Sequence, residues 1–442
     1  MTSPATAPGV SLRLSVMMFL QYAVWGAWLP VAGRYITAAT ADGGLGFTAE
    51  QLGVILGTAG SIGAISAPFI AGQIADRYFR AERFLALLMV LGAVINWKLA
   101  ASTTYSSWLY LSIAYSVVFM PTLALSNSIA FAHLGDTERE FPRVRVWGTI
   151  GWIAAGWSFS MVWLQSDLSF GAMPPFLTGP EVDGVTMRLA DAMRYSSVLG
   201  LVYAALCLTL PATPPKGDSS QPLAFASAFA LLRHRSFAAL VVAALAVSTI
   251  HQIYFIQTGP FFSEIGLADS EIGPAMTIGQ FSEILIMAGL GWMLMNLGVR
   301  NVLMVGAAAY FLRYGIWALD GLPVSVMVTS QALHGVCYAC FFATAFIYVD
   351  RIAPKEIQHS AQTVFGIIIL GGGPLLGGWL QGVLINHFAV DGDTGFTGLW
   401  STLSMIGLAT TVFLFFLFRD ESRGADPTRP DPEAEALAAE TH

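Results

Sequence analysis

Twelve apolar runs, each near the roughly 20 residues that a helix needs to cross bilayer hydrocarbon, make up most of this chain. The first six lie near residues 14–36, 50–75, 84–101, 105–130, 146–165 and 190–210. The second six lie near 237–262, 272–296, 301–319, 324–348, 359–386 and 396–418. Backbone in hydrocarbon must satisfy its own N–H and C=O groups, so runs of this length predict transmembrane helices. Composition agrees: 55% of the 442 residues are hydrophobic and 11% charged, against about 25% charged in a soluble domain. The expected fold class is all-α integral membrane, with twelve transmembrane helices in two six-helix halves. The net charge of −7 decides little, because most acids fall outside the runs. No basic run suggests nucleic acid. Cys207, Cys337 and Cys340 fall in apolar runs, and the C-x-x-C at 337–340 has no second ligand pair nearby. Neither a disulfide framework nor a metal or other cofactor is expected. The first dozen residues carry no basic n-region or cleavage site, so the first run reads as a retained span.

Between the two sets of runs comes a stretch rich in Pro, Ser and Lys/Arg. It divides the chain into a first half over residues 1–211, a linker over 212–236, a second half over 237–419 and a disordered tail over 420–442. Basic residues such as Arg83, Arg143, Arg233, Arg300, Arg351 and Arg419 collect at one set of loop ends, and acids such as Glu181, Asp269, Glu271 and Asp320 at the other. Excess Lys and Arg marks the cytoplasmic side. Both termini and the linker are therefore expected in the cytoplasm, with the chain a monomer in the cell (inner) membrane. This layout resembles the major facilitator superfamily, in which substrate sits near the midplane between the halves and access alternates by rocking. The turn GQIADRYFRAER resembles that superfamily's loop after its second helix. By that resemblance Gly72, Asp76, Arg77 and Arg80 form a cytoplasmic gate, with a worn copy at Gly291 to Arg300.

Polar groups inside spans point to a transport path. The stretch FPRVRVWGTIGW places Arg145, Thr149 and Trp152 at i, i+4 and i+7, on one helical face. Burying a cation, a hydroxyl and an indole together is costly unless something polar meets them. The first span puts Gln21 and Trp25 on one face, and the fourth carries Asn127. The seventh holds His251, Gln252, Tyr254 and Gln257; a lone histidine there is as readily a core group as a functional one. Gln280 and Glu283 lie one turn apart in the eighth, and Glu283 is the carboxylate placed deepest in a span. A carboxylate withdrawn from water is costly to keep charged, which suits it to carry a proton. Arg313 falls within the ninth span and needs a partner, for which His334, Glu283 or a carbonyl dipole are open. His334 and Tyr338 share a face of the tenth. Gly371 to Pro374 (GGGP) lacks the lysine and strand of a phosphate loop and reads as a packing contact or flexible point.

With these residues in hand the chain resembles the nucleoside:proton symporters of the major facilitator superfamily. The resemblance runs through FLQYAVWGAW, FMPTLALSNSIAF, FPRVRVWGTIGW and LTLPATPP. It implies proton-coupled uptake of nucleosides and no enzymatic activity. It also implies that Arg145, Thr149, Trp152, Gln252, Gln280 and Glu283 contact nucleoside; Tyr338, Gln21 and Asn127 complete the expected site. Family members can carry an acid near Ala339, which this chain lacks, and His334 replaces an aromatic. Proton coupling is therefore assigned to Glu283 with His334 and Arg313, with nucleoside uniport as an alternative. Oligosaccharide:proton symporters are the other alternative, since Arg313 and His334 match their pattern while Cys337 and Asn127 stand where they have acids.

Overall fold

The computed structural model describes residues 8–170, 177–215, 231–353, 358–389 and 394–420. The first half runs α1 (Pro8–Gly26), α2 (Leu29–Thr37), α3 (Ala49–Pro68), α4 (Ala81–Ala100), α5 (Tyr105–His133), α6 (Thr137–Phe159) and α7 (Asp191–Cys207). The second runs α8 (Arg235–Glu264), α9 (Asp269–Trp317), α10 (Leu333–Cys337), α11 (Thr344–Ile352), α12 (Gln358–Ile367), α13 (Gly373–Phe388) and α14 (Phe396–Leu417). A two-residue hairpin, β1 (Ser169–Phe170) antiparallel to β2 (Leu177–Thr178), lies between α6 and α7.

Nine helices among the described residues are long and apolar enough to cross a membrane. The protein is an all-α membrane protein, and the difference from the expected count has local causes. Helix α9 is 49 residues long, but Gly298 at φ 79° breaks it between the expected eighth and ninth spans. Helix α6 opens on charged residues and is less apolar than its neighbours, and α7 has only 17 residues. Helices α1 and α2 form one span, bent at Ala27–Trp28.

The buried side chains form two large cores. One gathers residues from Leu14 to Leu210 together with Ile256; the other runs from Leu231 to Phe418. The halves join where α3 meets α13 through small residues: Gly53 lies against Gly378, Gly57 against Pro374, and Gly382 against Glu50. A Cβ on Gly53 would overlap the Gly378 carbonyl, so only glycine permits this approach.

Polar ties reinforce the junction. Arg34 Nε pairs with Asp269 at 2.7 Å, and the Thr186 hydroxyl donates to the same carboxylate at 2.8 Å. Glu181 accepts from the Ser270 N–H at 2.7 Å, and Ser160 donates to the Ser270 carbonyl. Trp157 Nε1 reaches Thr277 at 2.8 Å. These ties sit at the ends of the helices away from the linker and in the connection before α7. There the halves are closed on one another.

Candidate functional site

Asp136 caps α6 by accepting from the Arg139 N–H at 3.1 Å. The cap puts Arg145 in the third turn, about 12 Å along the axis from Thr137. Arg145 is half-buried, with its guanidinium 4.1 Å from the centre of the Tyr22 ring. Thr149 is half-buried, and its hydroxyl makes no hydrogen bond to a side chain among the described residues. Trp152 lies deeper, backed onto Gly26, edge-on to Trp25 at 5.8 Å and to Phe255 of the second half at 6.2 Å.

Opposite, two glycines press α9 against α10. A Cβ on Gly279 would meet the His334 ring, and one on Gly335 the backbone at Glu283. Gln280 is buried, and its amide oxygen has no hydrogen-bond partner among the described residues. Glu283 is half-buried, and the charge that acts on it is Arg145, from the other half. The two are not among the ion pairs of the described residues. Tyr338 begins a π-helical turn, Tyr338–Ala343, and lies within the field of Glu283, Arg145 and Tyr22. Tyr22 and Arg145 thus face Glu283 and Tyr338 across the interface. Polar residues at facing surfaces of two bundles form a site that both bundles can grip or release.

The other expected residues fall around this cluster or apart from it. Asn127 is half-buried, with its side-chain oxygen buried and unpartnered. Gln252 is half-buried with its stem against Gly377. Gln21 is fully buried inside the first core, donating to Thr122 at 2.9 Å and accepting from Tyr203 at 3.1 Å. Both ends of its amide are used, so Gln21 ties α1, α5 and α7 together and is not brought to the cluster. Gln257, near the closed ends, bonds Gln381 of α13.

Arg313 is fully buried and takes His334 as its partner, not Glu283. It donates to His334 Nδ1 at 3.0 Å and to Gln331, and lies 4.0 Å over the Tyr254 ring and 4.9 Å over that of Trp317. A guanidinium only donates, so His334 accepts at Nδ1 and is the neutral Nε2–H tautomer. Ring faces and amide dipoles hold this cation in place of a carboxylate. His251 stacks on His334 at 5.2 Å and bonds the Tyr310 hydroxyl at 2.7 Å. Through Phe255 this aromatic bridge continues to Trp152. Gln331 was legible in principle, three residues before His334 on the same face; Tyr22 was not, because only helix pairing sets it under Arg145.

Of the expected cytoplasmic gate, Arg80 pairs with Glu82 at 2.7 Å, and Glu82 accepts from the Thr213 N–H at 2.9 Å. Arg77 lies 5.5 Å from its neighbour Tyr78's ring. These contacts stay within the first half and the first residues of the linker; the side chains of Gly72 and Asp76 lie outside the described residues, as do most of the linker and the tail beyond residue 420. Among the described residues no three His, Cys, Asp or Glu gather as a metal site.

The model of the family described as "Nucleoside H+ symporter" matches residues 9–423. The chain belongs to the nucleoside H+ symporter family. It is 34% identical over 423 residues to the transporter YegT of Escherichia coli (strain K12), covering 93% of this chain and 94% of that protein. It is 27% identical to the xanthosine permease of the same organism, over 93% of this chain and 96% of the relative. The crystal structure of the nucleoside transporter NupG superposes with a TM-score of 0.78 at 24% identity, over 93% of this chain and 99% of the other; at that identity the match speaks for the fold. This nucleoside H+ symporter family is one of permeases, so the chain is a membrane transporter and not an enzyme.

Proposed function

We propose that the protein carries nucleosides inward with protons by alternating access, gripping the substrate between Arg145 of the first half and Glu283 of the second. The placement of that cation and that carboxylate on opposite halves, close enough to act on one another and with no ion pair between them among the described residues, carries the reading. Ribose hydroxyls suit it, since they can donate to the carboxylate and accept from the guanidinium. Tyr22, Tyr338 and Trp152 supply ring faces for a base, and the unpartnered oxygens of Gln280 and Asn127 supply acceptors for its N–H groups. Thr149 and Gln252 complete the lining. Gln21 holds the first-half wall.

Proton coupling follows from the same geometry. Neutralising Glu283 removes the attraction between the halves at the point where they part, so proton and substrate bias one equilibrium. His334 would have to give up its bond from Arg313 to take a proton at Nδ1. Glu283 is therefore the carrier, and Arg313 with His334 holds the second-half wall. A uniporter reading rests on Ala339, which leaves that position without an acid.

The remaining assignments go with this reading. They are twelve spans, obtained by dividing α9 at Gly298 and counting α6 and α7, halves over residues 1–211 and 237–419, a linker over 212–236, and a tail over 420–442. The chain is a monomer in the cell inner membrane with both termini cytoplasmic, and the closed ends of the halves then face outward. Gly72, Asp76, Arg77 and Arg80 latch the opposite side when the halves rock over.

Uptake into proteoliposomes under an imposed inward proton gradient tests the proposal, with uridine, adenosine and lactose compared. Gradient-stimulated nucleoside uptake that Glu283→Gln loses is expected. Gradient-independent uptake makes the protein a uniporter, and lactose uptake makes it a sugar symporter. Stimulation that survives Glu283→Gln removes Glu283 as the carrier.

A further inference from the structure

At the end of the second half nearest the linker, far from the nucleoside cluster, Gly298 turns α9 beside the end of α14. A cleft of about 380 Å³ opens there, lined by Leu297, Gly298, Arg300, Asn301, Arg419 and Asp420. The Arg300 guanidinium lies 5.0 Å from the Phe415 ring and donates to the Phe415 carbonyl, while its Nε is buried without a hydrogen-bond partner among the described residues. Arg419 is exposed. Two arginines against one Asp420 leave the lining positive. Beside it, Phe415 and Phe416 are 51% and 70% exposed.

From this we infer that the cleft binds the phosphodiester of an anionic phospholipid of the inner leaflet. Guanidinium forks match phosphate oxygens, and an N–H withdrawn from water without an acceptor is costly until one arrives. Exposed rings beside two arginines give one ligand both an anionic and an apolar contact. Free phosphate shares the first contact and has no use for the second. A zwitterionic lipid brings its own cation to an already positive cleft. Basic pockets at the cytoplasmic ends of spans act in this way in general. The assignment needs the orientation proposed above, but the binding measurement below does not.

Native mass spectrometry of the full-length protein in detergent would measure bound phosphatidylglycerol against phosphatidylcholine at equal concentration. Phosphatidylglycerol should be retained preferentially. Arg419→Gln should weaken its binding about fivefold, as expected for one surface arginine, with nucleoside binding unchanged. Arg300→Gln with Arg419→Gln should remove the preference; if that pair misfolds, the exposed Arg419 alone still decides. Equal binding of the two lipids, or indifference to Arg419→Gln, overturns the proposal. Displacement of phosphatidylglycerol by millimolar inorganic phosphate would make this a soluble-anion site and overturn the lipid assignment.

Discussion

Asp269 is the residue on which closure of the halves most visibly depends. It is 5% exposed, pairs with Arg34, which is 21% exposed, and accepts the Thr186 hydroxyl. Both partners come from the first half, whereas Asp269 starts α9 of the second. Asp269→Ala leaves Arg34 and Thr186 without an acceptor in the closed arrangement and costs little where the halves have parted and water reaches all three. An exposed pair contributes about 0–1 kcal/mol, and breaking a fully buried one costs about 3–5 kcal/mol. With one partner buried and the other partly exposed, the loss should be about 2–3 kcal/mol. That shifts the population about 30- to 150-fold toward the state open at these ends. Val31 reports it: it is 4% exposed and lines the seam with Gly156, Ser270 and Gly273. Val31→Cys should be labelled by a membrane-impermeant maleimide only when the seam opens; Cys207, Cys337 and Cys340 are buried and give little background. Labelling should accelerate by the stated factor in Asp269→Ala, and adding Arg34→Ala, which removes the guanidinium left without an acceptor, should recover part of that shift. Unchanged labelling would refute the view that this network holds the seam closed.

Gly53→Val should act on the same equilibrium sterically, since its Cβ would run into the Gly378 carbonyl; the Val31→Cys reporter should stay open and uptake should fall about 5- to 150-fold, as expected for a misfit of about 1–3 kcal/mol. Arg145→Ala should weaken nucleoside binding about 10- to 100-fold by calorimetry, the loss of a charged hydrogen bond; unchanged affinity would leave Arg145 as an anchor on Tyr22. Because Arg313 is buried with no carboxylate, Arg313→Met should keep thermal stability within about 1 kcal/mol or raise it, whereas His334→Phe, which leaves the cation short of an acceptor, should cost about 3 kcal/mol. Equal losses from the two would mean that the cation is not the costly group.

Much of this protein was legible in one dimension. Run length and hydropathy depend only on composition along the chain, so the apolar membrane helices could be read directly. The i, i+4, i+7 spacing of Arg145, Thr149 and Trp152 put them on one face because helix geometry is fixed. The break at Gly298 falls in the gap expected between the eighth and ninth runs, whereas the short α7 and the charged start of α6 show the limit of that reading, because polarity alone does not set a span's length. The partners were decided only by tertiary structure. Gln21 and Glu283 look alike in sequence, each a polar group within a span, yet one is spent inside a core and the other faces a cation across an interface. Arg313 had three open partners, and the packing of α9 on α10 through Gly279 and Gly335 selected His334. Asp269 read as an outer-loop acid and proved to be a tie between halves. A side chain's period along its helix is local, but what it meets is set by helices hundreds of residues away.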